Sequence, residues 1–449
     1  MLQFSDQCAS NRYRALPSKK KVWGCRRVPQ SRSSSFLAWC ACAAPVLTCS
    51  QRRLHSTSLP FSPVSRLLIG RLETLSTGTH PTNLNTTMSQ TQLAIVVGSD
   101  ITSYSLKSID VPKPDADEIL VKIHAAAQNP ADWKTIERSF SNEGFIPGCD
   151  YAGVVEEVGS NVKKVKKGDR IAGMVHGGSF RAGHGCYAQF VRVDGENFFR
   201  IPDNLSFDEA ASCGVAFQTA TLGLYHTLGL PEPYDNVRDK EATPILVWGG
   251  ATSVGLMVIQ LAKLSGLTVI TTASLKNAEY LRSLGANYVL PYNDPNTPAE
   301  IKKITNGKLY LAYDTISENG TTQLVIDAFG SDDDIPKGKK KELINLLYVP
   351  PAMLDAKADT VTRHSLLAYT MQGKEFTAYR VHLPAMPAHY AFSIHSYGIL
   401  ERLLKENKIQ PQRVKILGGL ENVPEGFVYM KEGKNSAEKI IYHPLETRT

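Results

Sequence analysis

The chain has the length and composition of a globular protein with about two or three domains. It contains 449 residues, of which 42% are hydrophobic and 21% are charged, as in ordinary soluble proteins. Its net charge of +7 is unevenly distributed, because residues 1–87 hold twelve Lys and Arg residues against two acidic ones, which leaves −3 for the rest. The body is therefore not basic, and we expect no nucleic-acid partner.

Residues 1–87 form an extension that we exclude from the fold. They are rich in Ser, Thr, Arg and Pro, and Arg52–Ser58 (RRLHSTS) is typical of the end of a mitochondrial transit peptide. On the alternative interpretation, Met88 is the true start and the protein is cytoplasmic. The apolar run Phe36–Leu47 is too short to span a bilayer, so we expect no membrane partner.

Short strands punctuated by glycine dominate the first part of the body. Apolar and alternating patterns predict strands at Thr91–Val97, Glu118–Ala125 and Cys186–Val193, and Gly148–Gly159 is also β-rich. The turn Lys167–Arg170 (KGDR) leads into a further strand. These elements predict a mostly β domain of about 130 residues.

A strand, a glycine turn, a helix and a second strand then follow one another. Ile245–Trp248 is an apolar run typical of a strand buried on both faces. Gly249 and Gly250 permit a sharp turn, and Gly255 permits close packing of the next helix. Leu267–Ile270 predicts the second strand. Such a unit directs backbone N–H groups at a dinucleotide pyrophosphate, although its GGxxxxG spacing departs from the commoner GxGxxG.

The end of the second strand indicates which nicotinamide nucleotide binds. NAD enzymes usually carry an acidic residue there, which hydrogen-bonds the ribose 2′-hydroxyl. None of the residues Thr272–Asn277 is acidic, and Ser274 and Lys276 can hold a 2′-phosphate. The segment therefore favours NADPH over NADH. On the alternative interpretation, Ser274 only caps a helix that runs from about Lys276 to Leu284.

The remaining body alternates strands and helices. Apolar runs predict strands at Leu309–Tyr313, Leu343–Val349 and Lys439–Tyr442, and Tyr397–Lys405 predicts a helix. The charged segment Ser331–Lys341 (SDDDIPKGKKK) predicts a solvated loop. The order of these elements predicts an α/β fold class.

Several motifs resemble those of the medium-chain dehydrogenase/reductase superfamily, and within it the fungal trans-acting enoyl reductases of polyketide synthesis. The resemblance covers nearly all of residues 92–443. Its motifs are Asn129–Lys134 (NPADWK), Pro147–Gly153 (PGCDYAG), Lys167–Arg170 (KGDR), Gly249–Gly255 (GGATSVG) and Ser436–Ile440 (SAEKI). It implies an α/β fold with a GroES-like β domain from both chain ends, residues 88–215 and 381–449, and an inserted Rossmann domain, residues 216–380.

Zinc divides this superfamily, and the resemblance implies that this chain lacks the ligands. The alcohol dehydrogenases place a Cys ligand where this chain has Asn129, and a His-Glu pair where it has Cys149 and Asp150. Cys149 alone cannot supply the three or four ligands that zinc needs. His176 and His184 lie in a glycine-rich loop, where histidines are more often solvated than metal-bound. We expect no metal, and the lack of a Lewis acid favours reduction of an activated C=C bond.

The resemblance implies that NADPH delivers a hydride to an α,β-unsaturated carbonyl compound while the protein stabilises the enolate. By family position Lys134 is catalytic and lies beside the cofactor; alternatively it is a surface lysine. The segment Val215–Leu222 lines the substrate cleft, with Thr219 as a hydrogen-bond donor, although about half of it suits a helix core equally well. The predicted substrate contacts are Val215, Phe217, Gln218 and Thr219.

The same resemblance assigns the cofactor contacts. They belong to the NPADWK motif, the glycine turn, the end of the second strand, two later loops and the C-terminal return. They are Ala131, Asp132, Trp133, Lys134, Gly249, Gly250, Ala251, Thr252, Ser253, Val254, Gly255, Ser274, Leu275, Lys276, Asn277, Tyr292, Leu347, Tyr348, Asn435 and Ser436.

The sequence thus predicts an NADPH-dependent, zinc-independent oxidoreductase of the enoyl reductase type, serving secondary metabolism. Its substrate is expected to be a small molecule or an enoyl chain on an acyl carrier protein, with a polyketide synthase as partner, and the protein a monomer or a homodimer. One alternative is a quinone or alkenal reductase, which has the same fold and cofactor. Another is a non-catalytic NADPH-binding regulator, which would retain the glycine turn.

Overall fold

The computed structural model describes residues 90–100, 103–137, 143–178, 184–235, 243–378 and 381–449. The extension 1–87 lies outside these residues, so the mitochondrial and the cytoplasmic alternatives both stay predictions. None of the helices in the described ranges is long and apolar enough to cross a membrane.

Strands predominate in residues 91–200, and strands and helices alternate in residues 244–345. The strands are β1 Thr91–Val97, β2 Tyr104–Asp110, β3 Glu118–Ala127, β4 Asp150–Val158, β5 Arg170–Met174, β6 Phe190–Asp194, β7 Phe199–Arg200, β8 Pro244–Trp248, β9 Thr268–Ala273, β10 Tyr288–Pro291, β11 Leu311–Asp314, β12 Lys341–Asn345, β13 Val361–Ser365, β14 Phe376–Ala378, β15 Val381–Leu383, β16 Val414–Ile416 and β17 Lys439–Tyr442. The helices are α1 Pro130–Glu137, α2 Phe207–Ala211, α3 Gly214–Thr221, α4 Ser253–Leu264, α5 Ala278–Ser283, α6 Thr297–Ile304, α7 Thr321–Ala328, α8 Pro387–Lys405 and α9 Val423–Lys431.

One sheet is built from strands of both ends of the body. Its order is β16-β17-β3-β4-β5-β7, and β6 pairs with β3. The C-terminal β17 runs antiparallel to β3, with Ile441 opposite Ala127. Phe427 and Tyr442 pack in the same hydrophobic core as Val121. The predicted β domain from both chain ends is therefore confirmed as the architecture, whereas its residue boundaries stay a prediction.

The other large sheet is parallel, with the order β10-β9-β8-β11-β12-β13. This is the doubly wound arrangement, in which ligands bind beyond the carboxyl ends of the strands where the order reverses. Here the reversal lies between β8 and β11, with Trp248 opposite Asp314. Val247 packs on one face of the sheet and Leu246 on the other. Both faces of β8 are buried, which explains why its residues form a continuous apolar run.

The strand predicted at Leu343–Val349 is Lys341–Asn345 in the structure. The buried amide of Asn345 donates to Ser317 Oγ at 3.2 Å and to Thr322 Oγ1 at 2.9 Å, and the strand ends there. Lys341 was expected in a solvated loop, but it is only 8% exposed and its ammonium lies 2.6 Å from Asp332. The prediction from charge was wrong for Lys341, because a lysine can bury its methylene groups while its ammonium group reaches an acidic partner.

Strand β2 and helix α8 are among the elements that the sequence predicted incompletely or not at all, because little of their surface is apolar. Strand β2, Tyr104–Asp110, was not predicted; it pairs with β1 and exposes most of its residues. Helix α8 begins at Pro387 rather than at Tyr397. Most of its early residues are exposed or half-buried, so the apolar periodicity appears only in its second half.

Candidate functional site

The glycine turn between β8 and α4 lies at the reversal of the parallel sheet. Gly249 has a φ of +84°, and a Cβ there would lie 2.6 Å from Thr315 Oγ1. A Cβ at Gly255 would lie 2.4 Å from the carbonyl oxygen of Gly249. The Thr252 hydroxyl caps α4 by accepting the Gly255 N–H at 2.9 Å. The first N–H groups of a helix have no partner within it, so this turn suits the pyrophosphate of a dinucleotide.

The segment after β9 lies at the same edge of the sheet. Ser274 is half-buried, and its side chain makes no capping hydrogen bond to the short 3₁₀ turn Leu275–Asn277. The alternative that Ser274 merely caps a helix is therefore wrong. Lys276 and Tyr292 are exposed. A hydroxyl and an ammonium group thus lie in the segment that follows β9.

The C-terminal return reaches this edge from the β domain. The Ala437 N–H donates to the carbonyl oxygen of Ala251 at 3.2 Å. The Asn277 amide donates to Ser436 Oγ at 2.9 Å. The structure therefore brings Ser436 and its neighbour Asn435 to the glycine turn.

The loop after β12 carries two further predicted cofactor contacts. Leu347 is half-buried, and Tyr348 is 73% exposed. The loop follows the carboxyl end of β12, at the edge of the sheet where ligands bind in doubly wound folds. Tyr348 thus has a free ring face that a ligand can cover.

Lys134 in α1 forms an ion pair with a distant segment of the chain. Its Nζ lies 2.6 Å from Glu318 Oε2 in the loop after β11, and the two side chains are 19% and 36% exposed. Buried Asp314 holds this loop by accepting the N–H groups of Ile316 at 3.1 Å and Ser317 at 3.0 Å. Burial raises the pKa of Asp314, and these hydrogen bonds offset part of the shift. Lys134 is thus a half-buried lysine with an acidic partner rather than a free surface lysine.

Asp132, two residues before Lys134, has a buried carboxylate. Asp132 Oδ2 accepts the Asn129 N–H and the Tyr187 hydroxyl, each at 2.7 Å. Burial raises the pKa of Asp132 to about 6, although hydrogen bonds to Asn129, Tyr187 and Cys149 lower it in part. The predicted cofactor contact of Asp132 is corrected here, because its buried carboxylate anchors α1. Half-buried Trp133 follows it, with the Lys134 ammonium 5.6 Å from its ring centroid.

A closed polar network lies where the resemblance places zinc ligands in alcohol dehydrogenases. Lys439 Nζ donates to Asn129 Oδ1 at 2.6 Å and lies 3.0 Å from Asp150 Oδ2. The Asn129 amide donates to the same Asp150 oxygen at 2.9 Å, and Asp150 Oδ1 accepts the Val215 N–H at 2.6 Å. Across the described ranges, no group of three or more His, Cys, Asp and Glu residues is arranged to hold a metal ion.

The two loop histidines, expected to be solvated, are buried instead. His176 is 5% exposed and stacks on Tyr369, with ring centroids 3.8 Å apart. Burial lowers the pKa of His176 to about 3. His184 is 6% exposed, and its Nε2 lies 3.4 Å from Glu118 Oε1. A local sequence could not predict this burial, because the covering groups come from distant segments.

Helix α3 divides the predicted substrate contacts into two groups. Phe217 and Gln218 have no exposed surface, and the Gln218 amide donates to the carbonyl oxygen of Ser393 at 3.3 Å. They belong to the core, which corrects their assignment as substrate contacts. Val215 is half-buried and Thr219 is 6% exposed. The Thr219 hydroxyl donates to the Val215 carbonyl oxygen at 2.6 Å, so the helix already uses the donor that was expected to serve a substrate.

These features define a class, the nucleotide-dependent oxidoreductases that combine a GroES-like β domain with a Rossmann domain. The alcohol dehydrogenase GroES-like domain family matches residues 115–203, and the zinc-binding dehydrogenase family matches residues 253–333. A trans-enoyl reductase of Alternaria alternata is 36% identical over 355 residues, which cover 78% of this chain and 98% of the relative. The chain belongs to the trans-enoyl reductases of the medium-chain dehydrogenase/reductase superfamily, which are oxidoreductases with a nicotinamide cofactor.

Other comparisons agree with this assignment. A trans-enoyl reductase of Cochliobolus carbonum is 40% identical over 273 residues, covering 60% of this chain and 87% of the relative. Among solved structures, the quinone oxidoreductase from Coxiella burnetii is 23% identical with a TM-score of 0.59, covering 80% of this chain and 100% of that one. The CurK enoyl reductase is 18% identical with a TM-score of 0.61, covering 79% and 98%. At these identities the two structures show a shared fold.

Proposed function

We propose that this chain is an NADPH-dependent, zinc-independent enoyl reductase of secondary metabolism, acting on α,β-unsaturated acyl thioesters. When bound, the reduced nicotinamide supplies a hydride for the β-carbon. The chain's own residues bind the nucleotide, orient the substrate and stabilise the charge that develops on the carbonyl oxygen.

The network of Asn129, Asp150 and Lys439 carries this proposal. An amide stands where zinc enzymes supply a thiolate, and Asp150 is already engaged by the Lys439 ammonium. Burial raises the pKa of the Cys149 thiol well above its ordinary range, whereas zinc binds the thiolate. The residues therefore do not fit zinc. A substrate at this site must be activated by its own conjugated carbonyl group, which favours C=C reduction over alcohol oxidation.

The preference for NADPH is supported by Ser274 and Lys276. The Lys276 ammonium gives a 2′-phosphate a charge-assisted contact, which is absent for a 2′-hydroxyl. We expect Lys276→Ala to raise the dissociation constant of NADPH about 10-fold and to leave that of NADH unchanged, as measured by fluorescence titration. The matched control is Lys303→Ala, which removes an exposed lysine of α6 whose Nζ lies 3.6 Å from Glu300. Equal effects on the two nucleotides would contradict the preference.

The proposed substrate is a small-molecule thioester or an enoyl chain on an acyl carrier protein, with a polyketide synthase as partner. The names of the relatives support this, since they are described as trans-enoyl reductases. We propose that the protein acts as a monomer or a homodimer. Comparing the same enoyl chain on pantetheine and on a carrier protein tests the partner: a lower KM for the carrier-bound form supports it, and equal values argue against it.

The deciding experiment measures NADPH oxidation by the purified full chain with an α,β-unsaturated acyl-pantetheine thioester and, separately, with a quinone. Turnover of the thioester that persists in a zinc chelator supports the proposal. Turnover of the quinone alone would assign the chain to the quinone reductases. NADPH binding without turnover of either acceptor would favour the non-catalytic regulator.

A further inference from the structure

The loop after β11 has a strained backbone. Within four residues, Ser317 has a φ of +54°, Asn319 a φ of +55° and Gly320 a φ of +80°. A left-handed φ is unfavourable for most residues other than glycine, and it persists where surrounding groups hold it. Asn319 and Gly320 are exposed, whereas Ser317 is only 5% exposed. The contacts of Ser317 with the rest of the protein therefore hold this loop in its conformation.

The Ser317 hydroxyl joins the loop after β11 to the loop after β12. It donates to the Asp314 carbonyl oxygen at 3.0 Å. It accepts the side-chain amide of Asn345 at 3.2 Å and the N–H of Leu346 at 3.0 Å. A serine hydroxyl has one donor and two acceptor positions, so all three are used. Asp314 ends β11 and Asn345 ends β12, so one buried hydroxyl fastens together the loops that follow two neighbouring strands.

The loop after β11 also packs on the glycine turn. The Thr252 hydroxyl donates to Thr315 Oγ1 at 2.9 Å, and Thr315 Oγ1 lies 3.0 Å from the Gly249 carbonyl oxygen. A Cβ at Gly249 would lie 2.9 Å from Ile316 Cγ1. Ser317 is thus the next residue in a segment that directly contacts the proposed pyrophosphate site.

The strand order separates the two halves of a dinucleotide. In a doubly wound fold, each half binds on one side of the point where the order reverses. That point lies between β8 and β11. Ser274 and Lys276 follow β9 on one side, where we expect the adenosine half. The loops that Ser317 joins follow β11 and β12 on the other side, and the second of them carries the predicted cofactor contacts Leu347 and Tyr348.

We propose that Ser317 is a positioning residue for the nicotinamide half of NADPH, because its hydroxyl holds the loops after β11 and β12 in the conformation that binds this half. This rests on the nicotinamide cofactor of the proposed function and not on the acceptor that is reduced. Without the hydroxyl, the loops adopt the binding conformation for only a fraction of the time, and the apparent dissociation constant rises by the inverse of that fraction. The adenosine half keeps its own contacts.

The test compares two ligands of the full chain carrying Ser317→Ala. One is NADPH, and the other is adenosine 2′,5′-bisphosphate, which is the adenosine half alone. We expect the dissociation constant of NADPH to rise about 10-fold, the effect of one net hydrogen bond on the loop equilibrium. That of the bisphosphate should change by less than about 2-fold. With any acceptor that the unaltered chain reduces, KM for NADPH should rise similarly, and kcat at saturating NADPH should stay within about 3-fold.

Two control variants separate positioning from stability and from backbone strain. Ser265→Ala removes a buried hydroxyl at the opposite end of α4 from the glycine turn, where it donates to the Pro231 carbonyl oxygen at 2.7 Å. It should lower the melting temperature, as Ser317→Ala does, but leave both dissociation constants unchanged. Asn319→Ala places alanine at a similar left-handed φ in the same loop and should also leave both unchanged.

An unchanged dissociation constant of NADPH in Ser317→Ala would overturn the proposal. An equal loss of affinity for the two ligands would overturn it as well, because the whole nucleotide site would then be disturbed. If the unaltered chain binds NADH as tightly as NADPH, the proposed NADPH preference falls, and the same comparison of NADH with AMP decides the role of Ser317. If the chain binds NADPH and reduces no enoyl thioester, the proposed reaction falls, whereas the two dissociation constants still decide the role of Ser317.

Discussion

Among the lysine–carboxylate pairs that join distant segments of this protein, two differ sharply in burial. Lys439 and Asp150 lie 3.0 Å apart with side chains 1% and 0% exposed. Lys134 and Glu318 lie 2.6 Å apart with side chains 19% and 36% exposed. Breaking a buried pair leaves a charge without compensation, whereas a half-exposed pair contributes little to stability because water replaces the partner. We therefore expect the buried pair to stabilise the fold, whereas a ligand can displace one partner of the half-exposed pair.

The largest expected effect is on the buried pair. Lys439→Met leaves the Asp150 carboxylate buried without its cation, and we expect the free energy of unfolding to fall by roughly 3–5 kcal/mol. Denaturant unfolding followed by circular dichroism measures this loss. Adding Asp150→Asn removes the stranded charge and should restore part of the stability. A double variant no more stable than Lys439→Met would show that packing, rather than charge, explains the loss.

A buried carboxylate with neutral hydrogen-bond donors extends the comparison. The pKa of Asp132 is raised from 3.8 to about 6 by burial, so the native state binds this proton more tightly than the unfolded chain does. Stability is therefore lost as the pH rises from the unfolded to the folded pKa, and it stays lower above that window.

Asp132→Asn should abolish this slope and raise the free energy of unfolding at pH 7 by on the order of 2 kcal/mol. Urea unfolding at a series of pH values checks it. The control is Asp327→Asn, at an exposed pair with Lys357, which should keep the slope. A slope that survives in Asp132→Asn would refute the assignment to Asp132.

The half-exposed pair should affect activity more than stability. If Lys134 lies beside the cofactor, as the resemblance implies, Lys134→Met should lower kcat/KM for the enoyl thioester by about 10- to 100-fold, because it removes that cation. The free energy of unfolding should change by less than about 1 kcal/mol. Lys357→Met, at an exposed pair with Asp327 at 2.6 Å, is the matched control and should keep full activity. A large loss of stability in Lys134→Met would show instead that this pair stabilises the fold, as we expect of Lys439 and Asp150.

The smallest expected effect is that of changing Glu318, the acidic partner of Lys134. Glu318→Gln releases the Lys134 ammonium, so we expect the dissociation constant of NADPH to fall by about 2- to 5-fold. The effect should shrink at high salt, where exposed charges are screened. Isothermal titration at two salt concentrations measures both. A weaker binding of NADPH would mean that Glu318 positions Lys134 instead of competing for it.

Local patterns were sufficient to predict the glycine turn and the elements on either side of it. The apolar run before Gly249 and the closely packed Gly255 predicted a strand, a turn and a helix, and the structure has them as β8 and α4. A strand that is buried on both faces requires apolar residues at consecutive positions, and a left-handed φ favours glycine at one position. Both requirements can therefore be recognised within a short stretch of sequence. The strands Thr91–Val97 and Lys439–Tyr442 were also confirmed at both ends.

The surroundings of the predicted substrate segment depend on contacts that no local pattern contains. Tyr369 contacts Cys149 and His176 from a segment about two hundred residues away. Its neighbours in the sequence contain no pattern that predicts these contacts. The same holds for Phe217, which lies in the core, and for Gln218, which donates to Ser393 of α8; neither has exposed surface for a substrate.

The sequence by itself determined the fold class, the superfamily and the glycine turn between β8 and α4, because glycines, apolar periods and short motifs act within a few residues of one another. Only the tertiary structure decided which polar residues are buried and paired. Lys439 reaches Asn129 and Asp150 from the far end of the chain, and Lys134 of α1 reaches Glu318 in the loop after β11. Burial and partner choice depend on how distant segments pack, so they are properties of the folded chain as a whole.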